Sequence, residues 1–253
     1  MTAPQRVKRR SFLAGLGLVL APCLLGARPA AAQAVVDLQL VLAVDASGSV
    51  STERFELQKQ GYVAAFRNPK LLDAIRGGQI GAIAVTMTQW TGPILQMQVV
   101  PWMHVKDAAS MQAFADAVAA APRQLFGGGT SISGAIDHAR GLFAGTSLTG
   151  ARRVIDISGD GSNNRGRPVT DARDEAVAAG FVINGLPILA LEPYLEQYYW
   201  ASVVGGPGSF VVAAQSYETF AEAVLKKLII EIAASDRQHV PARQALAAGG
   251  PAR

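Results

Sequence analysis

The chain has 253 residues, of which 50% are hydrophobic and 17% charged, and this balance predicts a globular protein with a sizeable core. Its formal net charge is +4, but residues 1–34 hold five of the 23 basic residues and none of the 19 acidic ones. The remainder carries 18 basic against 19 acidic groups, a net charge of −1. The basic character therefore belongs to the N-terminal segment, which argues against binding of nucleic acid.

This N-terminal segment has the pattern of an export signal. Arg9 and Arg10 form a twin-arginine pair before a short apolar stretch, and small residues then run to Ala34. This order predicts a twin-arginine signal peptide at 1–34 and a periplasmic or secreted mature chain without stable membrane insertion. Cys23, the only cysteine, would leave with the signal. A retained membrane anchor is the alternative, and the shortness of the apolar stretch disfavours it.

Strand-like and helix-like patterns alternate along the mature chain, and they predict one domain at 35–234. In the first half of the chain we expect a strand ending at Asp45, a helix from Ser51 or Thr52, a helical piece ending at Gly77, antiparallel strands at 79–87 and 94–105, and a helix at 107–121. In the second half we expect helices at 132–143, from Thr170, at 192–203 and at 218–233. The strands expected between these helices lie at 154–157, 181–189 and 210–213. This alternation predicts an α/β fold with a doubly wound, mostly parallel six-stranded sheet, one antiparallel edge strand and helices on both faces. Residues 235–253, rich in Ala, Gly and Pro, are predicted to be a disordered tail.

Oxygen-bearing side chains occur on three loops that this topology places at the carboxyl edge of the sheet. Ligands bind at that edge in open α/β sheets. Carboxylate and hydroxyl oxygens are hard donors that suit Mg²⁺ or Mn²⁺. The residues concerned are Asp45, Ser47 and Ser49 on the first loop, Thr130 on the second and Asp160 on the third. Together they predict a metal site. The alternative is that the serines only cap helices.

The D-x-S-x-S motif, the later threonine and the aspartate after a central strand resemble the von Willebrand factor type A (vWA) domain. The resemblance covers nearly the whole mature chain, from about Val35 to Ala233. By that resemblance, Ser47, Ser49 and Thr130 are ligands of the ion, directly or through water. Asp45 and Asp160 are the carboxylates that hold it, commonly through waters. The fold is then Rossmann-like, the cofactor Mg²⁺ or Mn²⁺, and the partner an unidentified protein that presents a Glu or Asp carboxylate to the ion.

One residue departs from the pattern of that family. The family usually places Thr before the third-loop aspartate, whereas Gly159 stands there in this chain. The stretch from 155 to 164 resembles more closely a family of exported proteobacterial proteins of unknown function that share this domain. The departure leaves the metal ligands in place but weakens any transfer of adhesion function from animal members.

Two other functions stay open beside cation-dependent protein binding. The domain is then either a structural scaffold without metal-dependent binding or a Mg²⁺-dependent phosphatase of the haloacid dehalogenase type, which the acidic motif at Asp160 resembles. Such a phosphatase needs a second acid two residues after its first aspartate, to protonate the leaving group, and that position is Ser47. We therefore expect no enzymatic activity.

The roles of two further features are also left open. Asp156 lies inside a predicted central strand, on the same side as Asp160 by strand alternation. It either supports the metal site or is a structural residue bonded to a neighbouring loop, because a buried carboxylate needs a partner or a proton. Tyr194, Tyr198 and Tyr199 lie near the later edge, where they either contact a partner or pack.

Overall fold

The computed structural model describes residues 34–233, together with residue 2. The predicted tail and the rest of the predicted signal peptide lie outside the described residues. The five strands are β1 (Val35–Asp45), β2 (Ile83–Trp90), β3 (Gln96–Val105), β4 (Thr149–Gly159) and β5 (Val182–Pro187). The seven α-helices are α1 (Thr52–Phe66), α2 (Pro69–Arg76), α3 (Ala108–Ala120), α4 (Ile132–Leu142), α5 (Val169–Ala178), α6 (Leu195–Tyr198) and α7 (Phe220–Ala233). In the described range no helix has the length and apolar character needed to cross a membrane.

The strands form one sheet in the order β3-β2-β1-β4-β5. β3 pairs antiparallel with β2 at one edge, and the other neighbouring strands pair in parallel. Strand β1 is central, and it is buried from Val36 to its end at Asp45. The α/β class and the single antiparallel edge strand predicted from the sequence are confirmed.

Helices cover both faces of this sheet. Leu40 and Leu42 of β1 pack in a core that includes residues of α1, α2, α3 and α7. Val41 and Ala43 point to the opposite face, in a core that includes residues of α4, α5 and α6. Because a central parallel strand is buried on both faces, its sequence is mainly apolar, as that of β1 is from Leu40 to Val44.

The sheet has five strands, not six, because the strand predicted at 210–213 does not form. This segment lies beside β5 and makes only isolated bridges, Val211 with Gly185 and Ala214 with Ile188. The bonds Gly185 N–H to Phe210 O and Ala214 N–H to Pro187 O are both present. A continuous ladder would need one more hydrogen bond between these two, donated by the backbone N–H of residue 187. That residue is a proline, which has no N–H. The ladder is therefore interrupted where a sixth strand would run.

Candidate metal site

The end of β1 and the start of α1 hold the first loop. The Ala46 N–H donates to Trp90 O at 2.9 Å, so the loop leaves β1 still attached to β2. Asp45 is fully buried, and its Oδ1 accepts from the Ser47 N–H at 2.7 Å. The Ser51 hydroxyl then caps α1 by accepting from the Arg54 N–H at 3.2 Å. A short loop fixed at both ends leaves Ser47 and its neighbours little freedom.

Asp160 joins this loop to the end of β4. The Ser49 hydroxyl donates to Asp160 Oδ1 at 2.6 Å, and the Ser47 and Ser49 hydroxyl oxygens are 3.1 Å apart. The second carboxylate oxygen, Asp160 Oδ2, accepts from the Tyr217 hydroxyl at 2.8 Å. Four of the five predicted residues, Asp45 included, thus form one connected group of polar contacts.

Thr130 lies on the loop before α4 and is attached to the third loop through its backbone. Its N–H donates to Asn164 Oδ1 at 2.9 Å, and its carbonyl accepts from the backbone N–H groups of Asn164 at 2.9 Å and Arg165 at 3.1 Å. A Cβ atom placed on Gly161 would lie 3.7 Å from Thr130 Oγ1, so the threonine side chain is beside the residue that follows Asp160. All three predicted loops therefore meet at one edge.

Three consecutive glycines allow the Thr130 loop to approach the others. Gly127, Gly128 and Gly129 have φ of 71°, 88° and 81°, a region that other residues rarely adopt. A Cβ atom on Gly92 would lie 2.7 Å from Gly128 O, so the two backbones are in close contact. The glycine run thus has a conformational reason in this structure.

The electrostatics of this edge favour a cation. Burial, and then the negative charge of Asp160, raise the pKa of the Asp45 carboxyl to about 7. Asp45 Oδ2 has no hydrogen-bond partner among the described residues. A buried carboxylate oxygen without a partner, near a second carboxylate and three hydroxyls, is a donor set that fits a hard divalent cation. No group of three or more His, Cys, Asp or Glu side chains able to hold a metal is found in the described residues, so the fit depends on the hydroxyls.

Two arginines beside the site were not identified from the sequence. Arg54 Nη1 donates to Ser49 O at 3.0 Å, lies 3.9 Å from Asp160 Oδ2, and its guanidinium lies over the Tyr217 ring. Arg123 Nη2 donates to the carbonyls of Ala46 at 2.9 Å and Ser47 at 3.2 Å. Their contacts with Asp160 and Tyr217 in the one case, and with the first loop in the other, join residues distant in sequence, which no local pattern indicates. Two positive charges therefore lie beside the two acids of this edge.

Asp156 is not part of this group. It forms an ion pair with Lys227, which favours the structural role, but this partner lies on helix α7 and not on a loop. The tyrosines divide between packing and exposure. Tyr199 is fully buried, Tyr198 is partly buried with its hydroxyl accepting from the Asn163 N–H at 3.2 Å, and Tyr194 is exposed.

Solved structures with the same fold include von Willebrand factor type A proteins. Proximal thread matrix protein 1 from the mussel byssus matches with a TM-score of 0.57 and 18% identity, over 78% of this chain and 48% of that one. Another structure of the same protein, described with a zinc-occupied MIDAS motif, matches with a TM-score of 0.53 and 18% identity, over 79% of this chain and 49% of that one. The von Willebrand factor type A protein from Catenulispora acidiphila matches with a TM-score of 0.51 and 18% identity, over 79% of this chain and 43% of that one. The chain thus spans less than half the length of these proteins, and the likeness establishes the vWA fold alone.

Sequence comparison identifies the family. The curated proteins give no match to this chain. The model of the family described as "Protein of unknown function (DUF1194)" matches residues 35–236, which is most of the chain. The protein therefore belongs to that family, and its fold is that of the von Willebrand factor type A domain.

Proposed function

We propose that the domain at 35–234 binds Mg²⁺ or Mn²⁺ and uses the ion to hold a carboxylate of a partner protein outside the cytoplasm. The observation that carries this proposal is the arrangement of Asp45 and Asp160. Asp45 Oδ2 is buried and has no hydrogen-bond partner within residues 34–233, and Asp160 lies close enough for its charge to raise the pKa of Asp45. Two buried acids in this arrangement are stabilised by a cation between them.

The residues that would hold the ion are Asp45, Ser47, Ser49, Thr130 and Asp160. When bound, the ion supplies a positive centre that attracts an anionic oxygen. Because hydroxyl ligands carry no charge, the two carboxylates neutralise a divalent cation without giving the site a net negative charge. An acidic group of a partner is therefore not repelled and can bind to the ion. Arg54 adds positive charge at the same edge, 3.9 Å from Asp160 Oδ2. The charge balance supports binding of an acidic partner.

We propose binding, not catalysis, as the role of this edge. Ser47 occupies the position at which a phosphatase of the haloacid dehalogenase type needs its general acid. The Ser47 hydroxyl is also engaged, 3.1 Å from the hydroxyl of Ser49. A serine cannot protonate a leaving group as a carboxylic acid does, so this chain lacks that step at the expected place.

Isothermal titration calorimetry of the purified protein with MgCl₂ and MnCl₂ tests the proposal. We expect one binding event that Asp45→Ala and Thr130→Ala abolish or weaken at least tenfold, since each removes an oxygen donor. Thr149→Ala, at the exposed start of β4, removes a threonine hydroxyl at the opposite end of the strand and should leave binding unchanged. Circular dichroism of each variant checks that it is folded. Binding that persists unaltered in both site variants would contradict the assignment.

A further inference from the structure

Large exposed apolar side chains gather around the candidate metal site. Nine such side chains are exposed in the part of the chain that the structure describes. Five of them lie on loops at the sheet edge that holds Asp45 and Asp160, and we call these five the apolar rim: Ile94, Leu95, Phe126, Leu191 and Tyr194. Exposed apolar side chains that collect at one place commonly mark an interaction surface.

Three members of the apolar rim lie on the side of the Thr130 loop. A Cβ atom placed on Gly128 would be 2.9 Å from Leu95 Cδ1, which puts the Ile94–Leu95 turn against the glycine loop. Phe126 precedes the three glycines of that loop. The guanidinium carbon of Arg123 lies 4.7 Å from the centroid of the Phe126 ring. Arg123 in turn donates to the carbonyl of Ser47. Phe126 is nevertheless 66% exposed.

The other two members flank the third loop. Glu192 accepts from the backbone N–H of Ser162, two residues after Asp160, at 3.1 Å. This contact holds the segment that carries Leu191 and Tyr194 beside the site. Tyr194 is 77% exposed, although the nearby Tyr198 and Tyr199 are partly or fully buried. Apolar side chains thus stand on two sides of a polar centre in which Arg54 and Arg123 lie beside Asp45 and Asp160.

We propose that this edge docks an extended segment of a partner protein in which an acidic residue is flanked by large apolar side chains. The inference rests on the proposed function, because the acidic residue is the one that reaches the ion. Arg54 and Arg123 favour an anionic group at the centre of the contact. The flanking side chains bury against Phe126 on one side and Tyr194 on the other. In such an interface the buried aromatic and aliphatic contacts contribute affinity, and the polar centre contributes specificity.

Selection from a phage-displayed library of random dodecapeptides tests this inference. The purified protein is immobilised in buffer with Mg²⁺, and bound phage are eluted with EDTA. We expect enrichment of peptides that carry Asp or Glu with Leu, Ile, Phe, Tyr or Trp within two positions on either side. A selected peptide is then synthesised, together with a version whose flanking apolar residues are replaced by Ser. Fluorescence anisotropy should show a loss of about tenfold in affinity for the Ser version.

Variants of the protein separate the rim from the metal site. Phe126→Ser and Tyr194→Ser should each weaken the selected peptide by about five- to tenfold. Both should leave the Mg²⁺ affinity from calorimetry unchanged, since neither residue offers an oxygen to the ion in the proposed site. Ile80→Ser is the matched control, because Ile80 is also exposed but precedes β2 at the opposite edge of the sheet. It should change neither affinity.

The outcomes distinguish this inference from the proposal on which it rests. Acidic peptides without apolar flanks, no enrichment at all, or rim variants that bind the peptide as well as the native protein would each overturn the rim inference alone. Absence of Mg²⁺ binding in the calorimetry would overturn the proposed function as well.

Discussion

The ammonium group of Lys227 lies 2.6 Å from Asp156 Oδ1, and neither side chain is exposed to solvent. Lys227 Nζ is also 3.3 Å from Glu231 Oε2, one turn further along α7. The other oxygen of that carboxylate, Glu231 Oε1, accepts from Asn184 Nδ2 at 2.7 Å. This buried cluster of Asp156, Lys227, Glu231 and Asn184 joins α7 to β4 through an ion pair and to β5 through a hydrogen bond from an amide.

The cluster holds two acids and one base, so it carries a net negative charge when all three are ionised. Burial raises the pKa of Asp156 to about 7; the charge of Lys227 opposes the rise, and that of Glu231 adds to it. One proton on Asp156 makes the cluster neutral. The stability of the fold is therefore linked to pH at this position.

Replacing the lysine of this cluster should destabilise the protein strongly. Lys227→Met leaves the carboxylates of Asp156 and Glu231 without their buried counter-charge, and we expect a loss of about 3–5 kcal/mol in the free energy of unfolding at pH 8. Urea unfolding followed by circular dichroism measures it. Lys226→Met is the control, because Lys226 is the exposed neighbour on the same helix, and its effect should stay within about 0.5 kcal/mol. Equal losses in the two variants would contradict the assignment.

The stability of the native protein should fall as pH rises toward neutrality, in part through Asp156. A carboxyl whose pKa is raised in the folded state stabilises the fold below its unfolded pKa, and this contribution is lost as pH rises through about 7. Asn at this position does not ionise. Between pH 5 and pH 7 the native protein should lose stability relative to Asp156→Asn by up to about 1.4 kcal/mol per pH unit.

Urea unfolding of the two proteins at pH 5, 6, 7 and 8 measures this difference. The native protein has to be compared with Asp156→Asn because Asp45 also has a raised pKa. Asp45 contributes the same dependence of the unfolding free energy on pH to both proteins, so the difference isolates Asp156. The two stability curves should become parallel above pH 8. Parallel curves over the whole range would show that Asp156 is already ionised at pH 5 in the fold.

Local sequence patterns predicted the side of the sheet on which a residue lies, but not its contacts with residues distant in sequence. Asp156 shows both. Alternation along β4 placed Asp156, Ser158 and Asp160 on one side of the sheet, and the structure agrees, since they contact Lys227, Tyr62 and Tyr217 respectively. The identity of those partners depends on how α1, α7 and the segment before α7 pack, which no periodicity encodes. The same holds for Arg54, whose position in α1 was predictable but whose orientation toward Asp160 was not.

The missing sixth strand has a different cause. The apolar run at 210–213 has the composition of a strand, and it does lie beside β5. What prevents a continuous ladder is the absence of an N–H on Pro187, a residue of the partner strand. A strand prediction that considers one segment at a time cannot include the donors of a neighbour that is not yet known.

Asn164 should act as a positioning residue for Thr130. Its side-chain oxygen accepts from the Thr130 N–H, so Asn164→Ala removes one of the three hydrogen bonds that hold Thr130 to the third loop. We expect it to weaken Mg²⁺ binding by about 10- to 100-fold. Asn164→Asp keeps the accepting oxygen and should restore most of the affinity. Asn68→Ala provides a comparison, because it removes a similar side-chain bond to a backbone N–H, at the start of α2. If Asn68→Ala weakened Mg²⁺ binding as much, the effect of Asn164 would be one of general stability.

Gly159, the departure from the usual vWA pattern, is required by the packing of Trp90 and Asp45. A Cβ atom at Gly159 would lie 2.9 Å from Asp45 Oδ2 and 3.1 Å from Cζ2 of the Trp90 ring. Trp90 is fully buried and fills the space that a side chain at 159 would need. Gly159→Ala should therefore cost about 1–3 kcal/mol through overpacking and displace the Asp45 carboxylate.

Chemical denaturation and Mg²⁺ calorimetry on the same Gly159→Ala sample separate its two effects. Gly145→Ala is the control, since a Cβ atom there meets nothing within 4 Å, and its stability should change by less than about 1 kcal/mol. Because the added methyl group faces Asp45 Oδ2 directly, Mg²⁺ affinity should fall even at temperatures where the variant is fully folded. Unchanged affinity in the folded variant would mean that Asp45 Oδ2 does not face the ion, and the assignment of Asp45 would have to be withdrawn.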